Sequence, residues 1–146
     1  FKTPNYGMMT FAELFTNRQL LALMTFSELI AEARAQVEAD GGSAEYAQTI
    51  SVYLSFLIDK MADLGNALNR WEPAAQCPRQ LFARQAIPMI WAYAESNPFS
   101  DSSGSWAVLL HNLMNCFHSG LFDFDRDYSG TAIQADAQST DNKKML

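Results

Sequence analysis

The chain has 146 residues, 49% of them apolar, with 10 Phe, 5 Tyr and 3 Trp, which is enough for one substantial core and too apolar for general disorder. A formal net charge of -6 argues against a free-standing nucleic-acid binder, because phosphate contacts need an excess of Lys and Arg. Two cysteines are too few for a disulfide framework and suit a reduced, cytoplasmic setting, and no apolar run reaches the roughly 18 residues of a membrane span.

Residues 1–9 carry Pro4 and Gly7 and read as an extended or turning lead-in. Thr10 with Glu13, then Thr16 with Gln19, form two successive capping-box patterns, which predict a short turn followed by a longer helix from about residue 17. Ala22, Phe26, Leu29, Ala33 and Val37 recur in steps of three and four along it, the spacing of one buried face. Gly41-Gly42 ends this helix, since glycine is favoured just past a C-terminus.

Ser43 caps a second helix expected to run to about Arg70. Its stripe of Ala47, Ile50, Leu54, Leu57, Met61, Leu64, Leu68 and Trp71, widened by Tyr53, Phe56 and Ile58, predicts a central beam touched on two sides. A coiled-coil seam has a similar period but a narrower, less aromatic stripe. Cys77-Pro78 then reads as the start of a third long helix, with proline at its favoured first position. Pro88 would kink that helix, and Asn97-Pro98 would end it. Ser102 or Ser103 is placed as the cap of a last helix, with Trp106, Leu109, Leu110, Leu113, Met114 and Phe117 facing inward and Gly120 closing it.

After Gly120 the helical period stops and Asp, Ser and Thr dominate. The expected fold is therefore mainly α: four to five helices in a bundle-like domain over 1–120, then an extended tail over 121–146 with a possible short strand at 131–137. Phe1 and Leu146 carry no structural stop, and both ends are expected to continue into a longer protein.

No catalytic set stands out. His111, His118 and Cys116 lack the tight spacing of a metal site, and the serines at 100, 102, 103 and 105 read as loop and cap residues without a GxSxG elbow. Asp123, Asp125 and Asp127 alternate like calcium ligands but lack the glycine and terminal Glu of an EF-hand loop. Arg70, Arg79 and Arg84 flank the turn from Pro73 to Pro78, with Glu72 as the nearest acid and Trp71, Phe82 and Trp91 beside them. Such a patch is either charge balance for the acidic helices or a backbone-and-base contact surface.

Three stretches, TFAELFTNRQLLALMTFSELI, RQAIPMIWAYAESNPFSDSSGSW and GTAIQADAQ, resemble consecutive blocks of the bacterial and archaeal adenine-specific DNA methylases that carry a zinc-ribbon. The resemblance covers about residues 6–138, and the middle block is its most specific part. It implies a helical insertion into an α/β methyltransferase fold, in a parent that transfers a methyl group from S-adenosylmethionine to the N6 amine of adenine in DNA. The family's DPFAGGG-type cofactor loop, its DPPY-type motif and its zinc-ribbon cysteines do not occur in these residues. The fragment is therefore expected not to catalyse the reaction alone, and its expected partners are DNA and the remainder of the methyltransferase domain.

By the same resemblance, Asp136 and Ala137 stand where an Asp-Ala pair binds the cofactor's adenine. The residues expected to approach DNA are Arg79, Arg84, Gln85, Asn97 and Asp101, and no metal ligand is assigned. Arg84, Gln85, Asn97 and Asp101 have an alternative role in simply holding the bend between Arg84 and Trp106. The competing reading of the whole chain is a non-catalytic helical module that binds another protein.

Overall fold

The computed structural model describes residues 3–84, 86–90 and 92–119. Over these, the chain is mainly helical with one small two-stranded sheet. Two single 3-10 turns, Thr3–Tyr6 and Phe11–Leu14, lead into helix α1, Asn17–Ala39. The capping box at its start is complete: the Gln19 N–H donates to Thr16 Oγ1 at 3.3 Å, and the Thr16 N–H donates to Gln19 Oε1 at 2.8 Å. At its end Gly42 N–H reaches the Val37 carbonyl at 2.9 Å and Gly41 N–H the Glu38 carbonyl at 3.1 Å. These two bonds, with Gly41 at φ 93, form the left-handed glycine termination expected from the sequence. The packed face differs by one residue from expectation, because Ile30 is the buried side chain and Leu29 stays exposed.

Helix α2, Ala44–Leu64, is capped by Ser43, whose hydroxyl accepts from the Tyr46 N–H at 3.2 Å. Its Glu45 carboxyl is held below the usual carboxylate range, first by a backbone hydrogen bond and then by the Ser43 hydroxyl. Helix α2 packs against α1, and against α3 (Trp106–His118) as well, so it is the central beam. Leu57, Met61, Leu64 and Leu109 are the buried centre of this three-helix core, closed in by Leu23, Phe26, Leu54 and Trp106. Phe26 stacks on Trp106 with ring centroids 4.7 Å apart.

The beam stops at Leu64, not near Arg70. Two buried asparagines take over its last carbonyls. Asn66 Nδ2 donates to the carbonyls of Ala62 at 3.1 Å and Asp63 at 3.0 Å, and Asn69 Nδ2 donates to that of Leu64. Asn66 Oδ1 meanwhile accepts from the Leu68 N–H at 3.1 Å. Side-chain amides that compete with the backbone ladder in this way end a helix whose apolar period would otherwise continue.

The third long helix expected after Cys77 does not form. Strand β1, Arg70–Glu72, pairs antiparallel with β2, Cys77–Arg79, in the register Arg70 with Arg79, Trp71 with Pro78 and Glu72 with Cys77. Pro78 is tolerated there because a two-stranded ribbon has an unpaired outer edge. Beyond it the described residues up to the last helix hold no helix or strand, so Pro88 kinks nothing. This stretch is tied down instead: the Leu81 N–H donates to the Asp63 carbonyl at 3.1 Å, and the Phe82 N–H to Asp63 Oδ1 at 2.9 Å. Leu14, Leu68 and Leu81 are buried together in a second core, flanked by Met8, Phe15, Ile87 and Met89.

The cap of α3 is Ser105, not Ser102 or Ser103; its hydroxyl accepts from the Val108 N–H at 3.3 Å. Gly104, at φ 89, sets that position, and a Cβ there would lie 2.4 Å from Ser96 Oγ. Along α3 Leu109 is buried, while Met114 and Phe117, expected inward, are exposed. The described residues thus contain three α-helices and two 3-10 turns, not four to five helices. Gly120, the tail over 121–146 and its possible strand at 131–137 lie outside the described residues.

Candidate nucleic-acid interface

The hairpin register decides what the arginines do. Directly paired residues project to the same side of an antiparallel ribbon, and residues two apart on one strand share that side. Arg70, Arg79 and Glu72 are therefore gathered on one face, while Trp71 and Pro78 occupy the other. The Glu72 carboxylate lies 3.1 Å from Arg70 Nη2 and 3.9 Å from Arg79 Nε. Two guanidinium groups share one carboxylate, which eases the repulsion of like charges set opposite each other but leaves a positive excess. These pairs are partly exposed, so each contributes about 0.2–1 kcal/mol at most.

Arg84 arrives from the segment after β2, and the three arginines rim a cavity of about 380 Å³. Leu68, Leu81, Pro88 and Ile90 supply its apolar lining, with Ala83 and Gln80 completing the wall. Leu68 and Leu81 belong to the second core, where both are fully buried. Arg70, Arg79 and Arg84 are half of the described basic residues; the others are Arg18, Arg34 and Lys60. A chain with a net charge of -6 thus has a local cationic site. Phe82, next in sequence to the lining residue Leu81, is 46% exposed. Trp71 is equally exposed but belongs to the opposite hairpin face.

The remaining expected site residues fall elsewhere. Asn97 Oδ1 accepts from the Phe99 N–H at 3.0 Å, and its carbonyl accepts from Ser100 N–H at 3.2 Å and Ser100 Oγ at 2.9 Å. Those bonds shape the turn before α3, away from the arginine rim. Asp101 is exposed on the same turn. Gln85, Trp91, Asp136 and Ala137 lie outside the described residues. Among the described residues no group of His, Cys, Asp and Glu is placed to hold a metal ion. His111, His118 and Cys116 are exposed along α3.

A second hollow, of about 590 Å³, opens between α1, the end of α2 and the turn before α3. It is apolar, with Leu23, Phe26, Leu29, Met61 and Phe99 in its walls. The Arg18–Glu95 pair sits at its side, with Arg18 Nε donating to Glu95 Oε1 at 3.0 Å. That hydrogen bond, reinforced by the carboxylate's charge, raises the Arg18 pKa above its ordinary value. Sequence reading did not anticipate this hollow, because its two sides are far apart in the chain. The hairpin was more accessible: RWEPAAQCPR puts Glu72 before a proline, which biases it to extended backbone. No protein-family model, characterised protein or solved structure matches the chain.

Proposed function

We propose that this chain is the DNA-facing helical segment of an S-adenosylmethionine-dependent adenine methyltransferase, and that Arg70, Arg79 and Arg84 contact the phosphate backbone. The observation that carries the contact surface is the convergence of these three arginines on one cavity rim. Guanidinium groups match phosphate oxygens in a two-pronged geometry, and a local cationic cluster binds phosphate even where the net charge is negative. The parent reaction rests on the residue blocks at 10–30, 84–106 and 130–138, and it implies a cytoplasmic setting.

Among the described residues the one adjacent glycine pair does not fit the cofactor's usual glycine-rich loop: Gly41-Gly42 is bonded back onto Val37 and Glu38 as a helix terminus. This segment therefore frames DNA and does no chemistry by itself. Asp136 and Ala137 are proposed to meet the cofactor's adenine in the parent, where a carboxylate can accept from the exocyclic amine.

Fluorescence anisotropy with a labelled oligonucleotide tests the contact. Arg79→Ala or Arg84→Ala should each weaken binding and reduce the dependence of log affinity on log salt by about 0.7–0.9. Unchanged affinity in both variants counts against the proposal. Joining the chain to its flanking sequence and measuring methyl transfer to DNA tests the parent reaction. A non-catalytic protein-binding module is the second reading, favoured by the apolar hollow whose Phe99 is 82% exposed.

A further inference from the structure

We infer that the apolar hollow beside α1 is a groove for a basic, amphipathic helix of another protein. The inference rests on the protein-binding reading of this hollow and is independent of the arginine rim. Its α1 wall runs from Arg18 to Leu29, about 16 Å at the usual helical rise. The turn before α3, which carries Phe99, forms the opposite wall. Leu21 on the first wall is 68% exposed and Phe99 on the second 82% exposed. Small-molecule sites enclose roughly 70–90% of their ligand, and walls this open do not. A long trough with apolar sides instead suits a helix laid lengthwise, its side chains at every third or fourth position reaching in.

Phe99 is held out by a braced turn. Its N–H donates to Asn97 Oδ1 at 3.0 Å, the Trp106 N–H reaches the Pro98 carbonyl at 3.0 Å, and Gly104 closes against Ser96. The Phe99 ring centroid lies 6.0 Å from that of Phe26, which stacks in turn on Trp106. An aromatic side chain fixed in this way loses little freedom on binding and serves as an anchor.

The charge around the hollow selects the partner. Arg18 is committed to Glu95, which leaves the surroundings acidic. Leu21, Thr25, Glu28 and Glu32 follow in steps of four, three and four along one edge of α1, and Asp101 lies two residues beyond Phe99. Glu28, Glu32 and Asp101 are exposed and make no ion pair among the described residues. Lysine or arginine beside the apolar stripe of an incoming helix complements them, whereas an anionic membrane surface is repelled.

The test uses the whole chain and three synthetic fluorescent peptides of about 14 residues, long enough to fill the groove. One places leucines at steps of three and four among lysines, one has glutamates for the lysines, and one scrambles the first. Anisotropy should show the basic amphipathic peptide binding about tenfold or more tighter than the other two. Phe99→Ala should weaken that binding about tenfold with helical circular dichroism unchanged. Glu28→Lys combined with Glu32→Lys should shift the preference to the acidic peptide. Equal binding of basic and acidic peptides, still sensitive to Phe99→Ala, overturns the basic partner and keeps the protein-binding reading. Binding that ignores Phe99→Ala overturns the groove. An equal loss in Val52→Ala, exposed on α2 away from the hollow, does the same. Dimers that Phe99→Ala dissociates would make the occupant a second copy and overturn the inference. No dimer and no binding of any peptide would remove the protein-binding reading itself.

Discussion

The helical hairpin of α1 and α2 and the segment from Gly65 to Gly104 are built on opposite principles. In the hairpin three of the four helix ends are marked within a few residues: Thr16 with Gln19, Gly41-Gly42, and Ser43. In the following segment the fold is held by bonds between distant parts of the chain. Asp63 holds Leu81 and Phe82, the Leu14 carbonyl accepts from the Ala67 N–H at 2.8 Å, and Ser96 is pressed against Gly104. The first kind of structure is rigid on its own pattern. The second depends on its neighbours, and it is the part that carries the arginine rim.

Breaking each core in turn separates the two regions. Leu57→Ala empties a buried position in the three-helix core and should lower global stability by about 2–5 kcal/mol. In urea its helical circular dichroism and its tryptophan fluorescence should fall together. Leu81→Ala opens the second core at a similar local cost, but amide exchange should speed up mainly over 65–90, with the hairpin still protected. Equal loss of protection in α1 would mean that the two regions form one cooperative unit.

A smaller effect is expected at the junction between the regions. Asn66→Ala removes the three hydrogen bonds that end α2 and start the turn, and should cost about 1–3 kcal/mol because buried carbonyls are left unpaired. Its urea midpoint should fall and its DNA affinity should weaken with it, since β1 follows directly. The smallest effect belongs to the hairpin: Thr16→Ala removes the α1 cap and should cost about 1 kcal/mol. It should shift the urea midpoint while leaving DNA affinity unchanged, and a matching loss of affinity would link α1 to the site.

The misplacements in reading the sequence follow the same division. Helix starts at Thr16 and Ser43 and the glycine end at Gly41 were legible, because a cap is a bond between residues three or four apart. The apolar period of α2 also ran on through Leu68 and Trp71, yet those residues belong to the second core and to a strand. Periodicity alone does not distinguish a helix face from a chain that leaves one core and joins another. Ser105 caps α3 in place of Ser102 or Ser103 because the choice among neighbouring serines depends on Gly104 closing against Ser96. The site was half legible. Arg70, Arg79 and Arg84 stand out as a basic group in the sequence, but their shared rim depends on a three-residue pairing between strands.

By itself the sequence determined a helical, core-forming chain: half its residues are apolar, their spacing marks two long amphipathic segments, and short-range caps set where α1 and α2 begin. Only the tertiary structure decided that α2 stops at Leu64, that the next stretch is a hairpin and an extended strap, and that three arginines meet over an apolar floor. The physical reason is range. Caps and helical faces are set by residues within a turn or two of each other, whereas the strap is stabilised by Asp63 and Leu64 at the end of α2 and by Leu14, partners far from most of it in the chain.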